Sequence, residues 1–141
     1  MGSLFLIKDQ INSPIIILNA DLMTSLSISS FIEFYNEDKP DAIIGAATYE
    51  HRVPYGILRY NELGELLGVE EKPTQRNLVA AGIYILNENI INLLEFNKKI
   101  DMPELIEISL KKGFKLGVFP IYENWADIGL PKDYYNLLNK N

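Results

Sequence analysis

Hydrophobic and polar positions along this chain switch between two periods, and the switches mark its elements. Ile15-Ile16-Ile17-Leu18 is an apolar run without a polar interruption, and its three isoleucines are β-branched. That pattern predicts a strand buried on both faces, as in a parallel sheet. The run stops at Asn19 and Asp21, side chains that are costly to bury. Ile28, Phe31, Ile32 and Tyr35 then fall at i, i+3, i+4 and i+7. This predicts a helix from Ser27 to Asn36 with one apolar face and Ser27 as its cap. Lys39-Pro40-Asp41 breaks it, and Ala42 to Thr48 reads as a second buried strand. Residues 14–48 thus read as one β-α-β unit, which implies parallel strands. Upstream, Leu4 to Ile7 reads as the last turns of a helix ended near Asp9 and Asn12.

Downstream, Tyr49 to Pro54 reads as a polar loop. Tyr55 to Tyr60 and Glu65 to Glu70 flank Asn61-Glu62-Leu63-Gly64, a hairpin pattern with a Gly-containing connection, closed by Glu71-Lys72-Pro73. A polar loop from Thr74 to Asn77 leads to an apolar strand, Val79 to Leu86. Asn87 to Phe96 reads as a helix capped by Asn87. A further helix starts with Asp101 as cap, an early Pro103 and Glu104 at the third position, and ends at Gly113. Lys115 to Pro120 reads as a strand, Ile121 to Gly129 as an extended aromatic and polar segment, and Pro131 to Leu138 as a last helix. Repeats, low-complexity segments and linkers are absent from the sequence.

The 141 residues set one domain as the default, with enough chain for a sizeable core. The absence of Cys excludes a disulfide framework, a thiolate metal site and a Cys nucleophile, and it fits a cytoplasmic protein. A net charge of −6 leaves no basic surplus for a nucleic-acid partner. The apolar runs are far too short to span a membrane, and the N-terminus, with Lys8 as its first basic residue, does not read as a signal peptide.

Four short signals carry candidate chemistry. Asp21, in Asn19-Ala20-Asp21, follows a buried strand, where open α/β sheets place their ligand crevice. Asp127 lies in Trp125-Ala126-Asp127-Ile128-Gly129. Two carboxylates suit Mg²⁺, which takes one or two carboxylates and completes its shell with substrate phosphate and water. Lys72 is a point charge suited to phosphate, and Pro73 restricts it to an extended backbone that helps to aim it. Glu71 can accept hydrogen bonds from sugar hydroxyls. Gly56, in Pro54-Tyr55-Gly56, and Gly82 permit close backbone approach to a ligand. Each residue also has a plainer role. Asp21 and Asp127 suit turns or caps, Glu71 and Lys72 suit a solvated hairpin end, Gly82 suits close strand packing, and Trp125 suits a core. His51, the sole histidine, sits in a polar loop and is a weak candidate catalyst. The nine glycines are scattered, with neither a GxGxxG nor a P-loop.

The order of these signals is more specific than any one of them. Leu18-Asn19-Ala20-Asp21-Leu22, Val53-Pro54-Tyr55-Gly56-Ile57, Val69-Glu70-Glu71-Lys72-Pro73, Ala81-Gly82-Ile83-Tyr84-Ile85 and Trp125-Ala126-Asp127-Ile128-Gly129 follow one another at family-like spacing. Over about residues 2–138 the chain resembles the sugar-1-phosphate nucleotidyltransferases, nearest to their mannose-1-phosphate guanylyltransferase-like branch. The resemblance implies an α/β fold: a Rossmann-like mixed, mostly parallel sheet with flanking helices and a β-hairpin insertion. It implies attack of a sugar-1-phosphate oxygen on the α-phosphorus of a nucleoside triphosphate, GTP favoured, with release of pyrophosphate. It implies Mg²⁺ held by Asp21 and Asp127, sugar and phosphate bound by Glu71 and Lys72, and a sugar pocket lined by Tyr55-Gly56 and Ala81-Gly82. Asp21, Lys72 and Asp127 become the catalytic set.

The chain departs from that family in lacking its opening strand and Gly-rich loop, roughly GGxGTRL, which bind the triphosphate and base. Gly2-Ser3-Leu4 looks like the tail of a later turn. Ala80 stands where the family has Asn, which puts one sugar contact in doubt. Residues 1–141 therefore resemble the C-terminal part of a catalytic domain, without its nucleotide-binding half. Two expectations follow: this chain alone does not catalyse the transfer, and the uncovered strand at residues 15–19 recruits a second copy. The rival reading is a non-catalytic subunit that binds sugar phosphate or a partner.

Overall fold

The computed structural model describes residues 2–129. In chain order these form α1 (Gly2–Ile7), β1 (Ile15–Leu18), β2 (Leu22–Thr24), α2 (Ile28–Asp38), β3 (Ala42–Arg52), β4 (Ile57–Tyr60), β5 (Leu66–Glu70), β6 (Thr74–Leu86), α3 (Glu88–Ile91), α4 (Met102–Lys111), β7 (Leu116–Ile121) and β8 (Trp125–Asp127). The expected helix over Pro131 to Leu138 lies outside the described residues.

The apolar run at Ile15–Leu18 is a strand, in a different setting from the one expected. The main sheet has the order β1-β6-β3-β7, so among the described residues β1 is an edge. It pairs antiparallel with β6, Ile15 opposite Leu86 and Leu18 opposite Ile83. β6 stands between β1 and β3, so the two strands of the unit read over residues 14–48 are not neighbours. Nor is β1 enclosed on both faces: its isoleucines are half-buried and Leu18 is 52% exposed. An unbroken apolar run reports that both faces of a strand are apolar. It cannot report whether the strand has one neighbour or two. The parallel ladder lies instead between β3 and β7, from Ala42 opposite Leu116 to Ala47 opposite Ile121. The α/β class, the mixed sheet and the hairpin insertion are as expected.

Helices cover both faces of this sheet, and each face has its own apolar cluster. On one, Phe31 and Tyr35 of α2 pack with Ile43, Ala47, Ile83, Ile85 and Ile121. Phe119 meets Phe31 and Phe34 edge-on at 5.2 Å between ring centroids, the geometry that ring quadrupoles favour. On the other face, Ile90, Ile91, Leu94 and Leu105 pack with Ala42, Tyr84 and Leu86. α2 starts where expected: the Ser27 side chain accepts from the Ser30 N–H at 3.2 Å. α4 starts with Asp101 accepting from the Glu104 N–H at 2.9 Å.

The helix expected over Asn87 to Phe96 is cut to the single turn of α3. The N–H groups of Leu93 and Leu94 turn to the carbonyls of Ile90 and Ile91, three residues back. Ile90, Ile91 and Leu94 are buried all the same. A segment this short takes its conformation from what its side chains must cover rather than from helical propensity. β3 and β6 run further than expected, through much of the loops read at Tyr49 to Pro54 and Thr74 to Asn77. Polar composition there reflects exposure, not loss of the ladder.

Asp41 ties three chain crossings together below β3. Its Oδ1 accepts from Asn87 Nδ2 and Asn89 Nδ2, both at 2.9 Å, and its Oδ2 accepts from the Lys115 N–H at 2.9 Å. The Asn89 amide, with those of Asn87 and the Lys115 backbone, holds the Asp41 carboxyl below its ordinary range against the opposing effect of burial.

Thr48–Val79 forms a compact unit distinct from the rest of the chain. At its centre, β4 and β5 pair antiparallel with Leu58 opposite Val69, and a register shift falls between Arg59 and Tyr60. Arg59 and Glu70 form an ion pair at 2.6 Å. The hairpin turn is built on Asn61, whose Oδ1 accepts from the N–H groups of Leu63 and Glu65 at 3.0 Å.

Candidate functional site

In the larger unit, the site grows from the end of β1. Asp21 lies in the turn that leads into β2, and its carbonyl accepts from the Ile128 N–H at 2.8 Å. β2 pairs antiparallel with β8, which sets Leu22 opposite Asp127 and Thr24 opposite Trp125. This two-stranded ribbon escaped the sequence reading because three residues are too few to show a period. It brings together two carboxylates that are 106 positions apart in sequence. A methyl group placed on Gly129 would lie 3.2 Å from Asp127 Oδ1 and 3.8 Å from Asp21 Oδ2, so both carboxylates face one small volume. Asp127 also has the turn role expected of it, since its Oδ1 accepts from the Gly129 N–H at 3.0 Å.

Among the described residues, no group of three or more His, Cys, Asp or Glu side chains is arranged to hold a metal ion. Two exposed carboxylates fit a hard cation that keeps most of its shell for water and phosphate, which is the habit of Mg²⁺.

Ala81 and Gly82 lie beside this pair through direct bonds. The Ala81 carbonyl accepts from Trp125 Nε1 at 2.9 Å, and the Gly82 carbonyl accepts from the Asn19 N–H at 2.9 Å. Trp125 is half-buried and spends its ring nitrogen on that bond. Gly82 has φ +74°, a conformation glycine adopts at little cost. Close approach to a ligand or to a neighbouring strand were the two uses foreseen for it. What lies against it is the side chain of Asn19: a Cβ on Gly82 would sit 2.8 Å from Nδ2 and 2.9 Å from Cγ. Asn19 is the residue of this site to which the sequence assigned no role.

The remaining candidates belong to the smaller unit. A Cβ on Gly56 would stand 3.0 Å from Glu71 Oε2, so the hairpin entrance and exit meet as expected. Tyr55 is 74% exposed. Glu71 and Lys72 form an exposed ion pair at 3.6 Å. Lys72 departs from expectation: its φ is +47°, not extended. Pro73 disfavours the right-handed helical region for the residue before it, but the chain must leave β5 and enter β6 within Glu71-Lys72-Pro73. The turn is fixed by a bond from the Val53 N–H to the Pro73 carbonyl at 2.9 Å. A lysine at positive φ is uncommon and strained. His51 stacks on Tyr49 with ring centroids 6.1 Å apart. The candidate residues thus divide into two sets: Asp21, Asp127, Ala81 and Gly82 in the larger unit, and Tyr55, Gly56, Glu71 and Lys72 in the smaller.

Comparison with known proteins gives a consistent answer. The family model described as Nucleotidyl transferase matches residues 2–141. A mannose-1-phosphate guanyltransferase of Pichia angusta is 30% identical over 127 residues, covering 87% of this chain and 35% of that protein. A glucose-1-phosphate adenylyltransferase of Acetivibrio thermocellus is 28% identical over 134 residues, covering 86% and 31%. The crystal structure of HddC from Yersinia pseudotuberculosis matches with TM-score 0.66 and 25% identity, covering 99% of this chain and 60% of that one. The chain spans about a third of the length of these two curated relatives.

Proposed function

This chain belongs to the nucleotidyl transferase family, and on that footing we propose that it is the metal- and sugar-phosphate-handling part of an enzyme that makes a nucleotide-sugar. The substrates are a sugar 1-phosphate and a nucleoside triphosphate, GTP favoured, and pyrophosphate leaves. The observation that carries this reading is the convergence of Asp21 and Asp127 on one volume beside Ala81 and Gly82. Asp21 and Asp127 hold Mg²⁺, which when bound neutralises charge on the phosphates. In the smaller unit Lys72 adds a cation for the sugar phosphate, Glu71 accepts from sugar hydroxyls and Tyr55-Gly56 offers its backbone to the sugar; in the larger unit that last role falls to Ala81-Gly82. The protein's part in the reaction is positioning and charge stabilisation, without a covalent intermediate.

The chain has no Gly-rich phosphate loop in its sequence, so binding and turnover should separate. With Mg²⁺ and mannose 1-phosphate, titration followed by NMR should show saturable shifts at Asp21 and Lys72. Adding GTP should release no pyrophosphate from these 141 residues alone. Pyrophosphate release would overturn the inactivity of the isolated chain, and a lack of any sugar-phosphate binding would overturn the function. Sugar-phosphate binding by the full-length protein without turnover would favour the rival, a non-catalytic binding subunit.

The strain at Lys72 gives a sharper test of its role. Lys72→Gly removes the Cβ that makes positive φ costly, so denaturant unfolding should show a gain of about 0.5–1 kcal/mol. The same variant should bind mannose 1-phosphate at least about tenfold more weakly. A lysine kept at positive φ for no functional reason would give the first effect without the second.

The uncovered side of β1 carries a separate proposal, that two copies of the chain associate there. Among the described residues β1 has β6 on one side only. It adjoins a groove of about 710 Å³ whose apolar lining includes Phe5, Leu6, Ile17, Tyr84 and Phe96. A bare apolar edge offers unpaired N–H and C=O groups to a second strand. Sedimentation velocity should show mass rising with concentration, and Leu18→Lys should suppress the rise. A monomer at every concentration would dispose of it.

A further inference from the structure

Asn19 sits at the junction of everything described in the larger unit, yet the function outlined above gives its side chain no task. Its backbone N–H is spent on the Gly82 carbonyl. Its carboxamide is exposed, and among the described residues it has no hydrogen-bond partner. The structure nonetheless makes room for it: Gly82 lacks the Cβ that would stand 2.8 Å from Nδ2, and Leu22 Cδ1 closes the same space at 3.1 Å. β1 and β6 are thus built so that a carboxamide lies over Gly82, two residues ahead of Asp21.

The chemistry of that position is selective. A carboxamide offers both a donor and an acceptor, so it can meet a sugar hydroxyl in either role. A carboxylate offers acceptors alone and would add negative charge beside a phosphate. We propose that Asn19 is a specificity-determining residue that hydrogen-bonds a ring hydroxyl of the sugar 1-phosphate, held in place for that purpose by the missing side chain of Gly82. The proposal rests on the sugar-phosphate reading and adds which residue reads the sugar rather than its phosphate.

The test compares affinities of the full chain, with Mg²⁺ present, for mannose 1-phosphate, its monodeoxy analogues and inorganic phosphate. Asn19→Ala should weaken mannose 1-phosphate about tenfold and leave inorganic phosphate unchanged. One monodeoxy analogue should bind the wild type about tenfold more weakly, and Asn19→Ala should be blind to that same hydroxyl, which is the coupling a direct bond requires. Asn19→Asp, of the same shape, should bind mannose 1-phosphate more weakly than Asn19→Ala. Lys72→Ala is the control, because it should weaken both sugar phosphate and inorganic phosphate.

If Lys72→Ala weakens binding and Asn19→Ala does not, this inference fails and the sugar-phosphate function stands. If all analogues lose the same factor in Asn19→Ala, the residue acts by shaping the site, and the direct bond is overturned. If the wild type binds none of the ligands, the function itself falls and takes this inference with it. Asn19→Asp keeps the side-chain volume over Gly82, so its ¹⁵N-HSQC spectrum should match that of the wild type and separate lost binding from lost fold.

Discussion

Asparagine at either Asp21 or Asp127 is expected to lower the proposed nucleotidyl transfer by the complete protein about 10³-fold while leaving the fold intact. The size follows from the charge. Each substitution removes one of the two anions that face the volume beside Gly129, and the proposed Mg²⁺ would find no third carboxylate grouped with them among the described residues. The intact fold follows from which atoms hold the ribbon. Asp21 contributes its backbone carbonyl to the bond with Ile128, not its side chain. Asparagine at 127 can still accept from the Gly129 N–H, as Asp127 Oδ1 does now. Thermal unfolding should therefore match that of the wild type. Combining the two substitutions should cost little more than either alone, because both remove the same ion. In this chain by itself, Mn²⁺ should broaden NMR signals around Asp21 and Asp127 and spare those around Asp41. Broadening centred elsewhere, or activity that survives both substitutions, would refute the assignment.

The largest effect on stability is expected at Asp41. Asp41→Ala leaves the amides of Asn87 and Asn89 and the N–H of Lys115 without their acceptor, a loss of about 2–3 kcal/mol for a group whose bonds are charge-assisted. The effect depends on pH in a definite direction. Hydrogen bonds to Asn89, Asn87 and Lys115 hold the folded-state carboxyl below its ordinary range. Folding therefore favours the ionised form, and the contribution is complete above the unfolded-state value of about 3.9. It is lost as pH falls through the lower folded-state value. Denaturant midpoints measured from neutral pH into acid should converge for wild type and Asp41→Ala. A gap that stays constant down to the lowest pH would show that the carboxylate's charge is not what the three donors need.

Much of the fold was legible because the responsible residues act locally. Ser27 and Asp101 cap the helices they were expected to cap, and Asn61-Glu62-Leu63-Gly64 turns the hairpin. What escaped was set by distant partners. β1 has the composition of a central strand, yet among the described residues its one sheet neighbour is β6, more than sixty residues later. Lys72 is bent to positive φ by a turn that must bring Pro73 back to Val53. The pairing of Leu22 with Asp127 leaves no local pattern at either end. The candidate site shows the same division. Asp21 and Asp127 could each be nominated from their own neighbourhoods, but the ribbon that joins them could not. Asn19 could be recognised only once Gly82 was seen to have no room for a side chain.

The chain enters the smaller unit at Thr48 and leaves it at Val79, on β3 and β6, which are neighbours in the sheet. Entry and exit therefore lie on adjacent strands, the arrangement in which an inserted segment is tolerated best. Residues 53–73, which lie between β3 and β6, can lengthen, shorten or change sequence without interrupting either strand. The residues proposed to recognise the sugar phosphate from the hairpin ride on that insert, and the proposed metal pair does not. On the proposed roles, changes between β3 and β6 alter the hairpin's share of sugar recognition and leave the proposed metal pair in place.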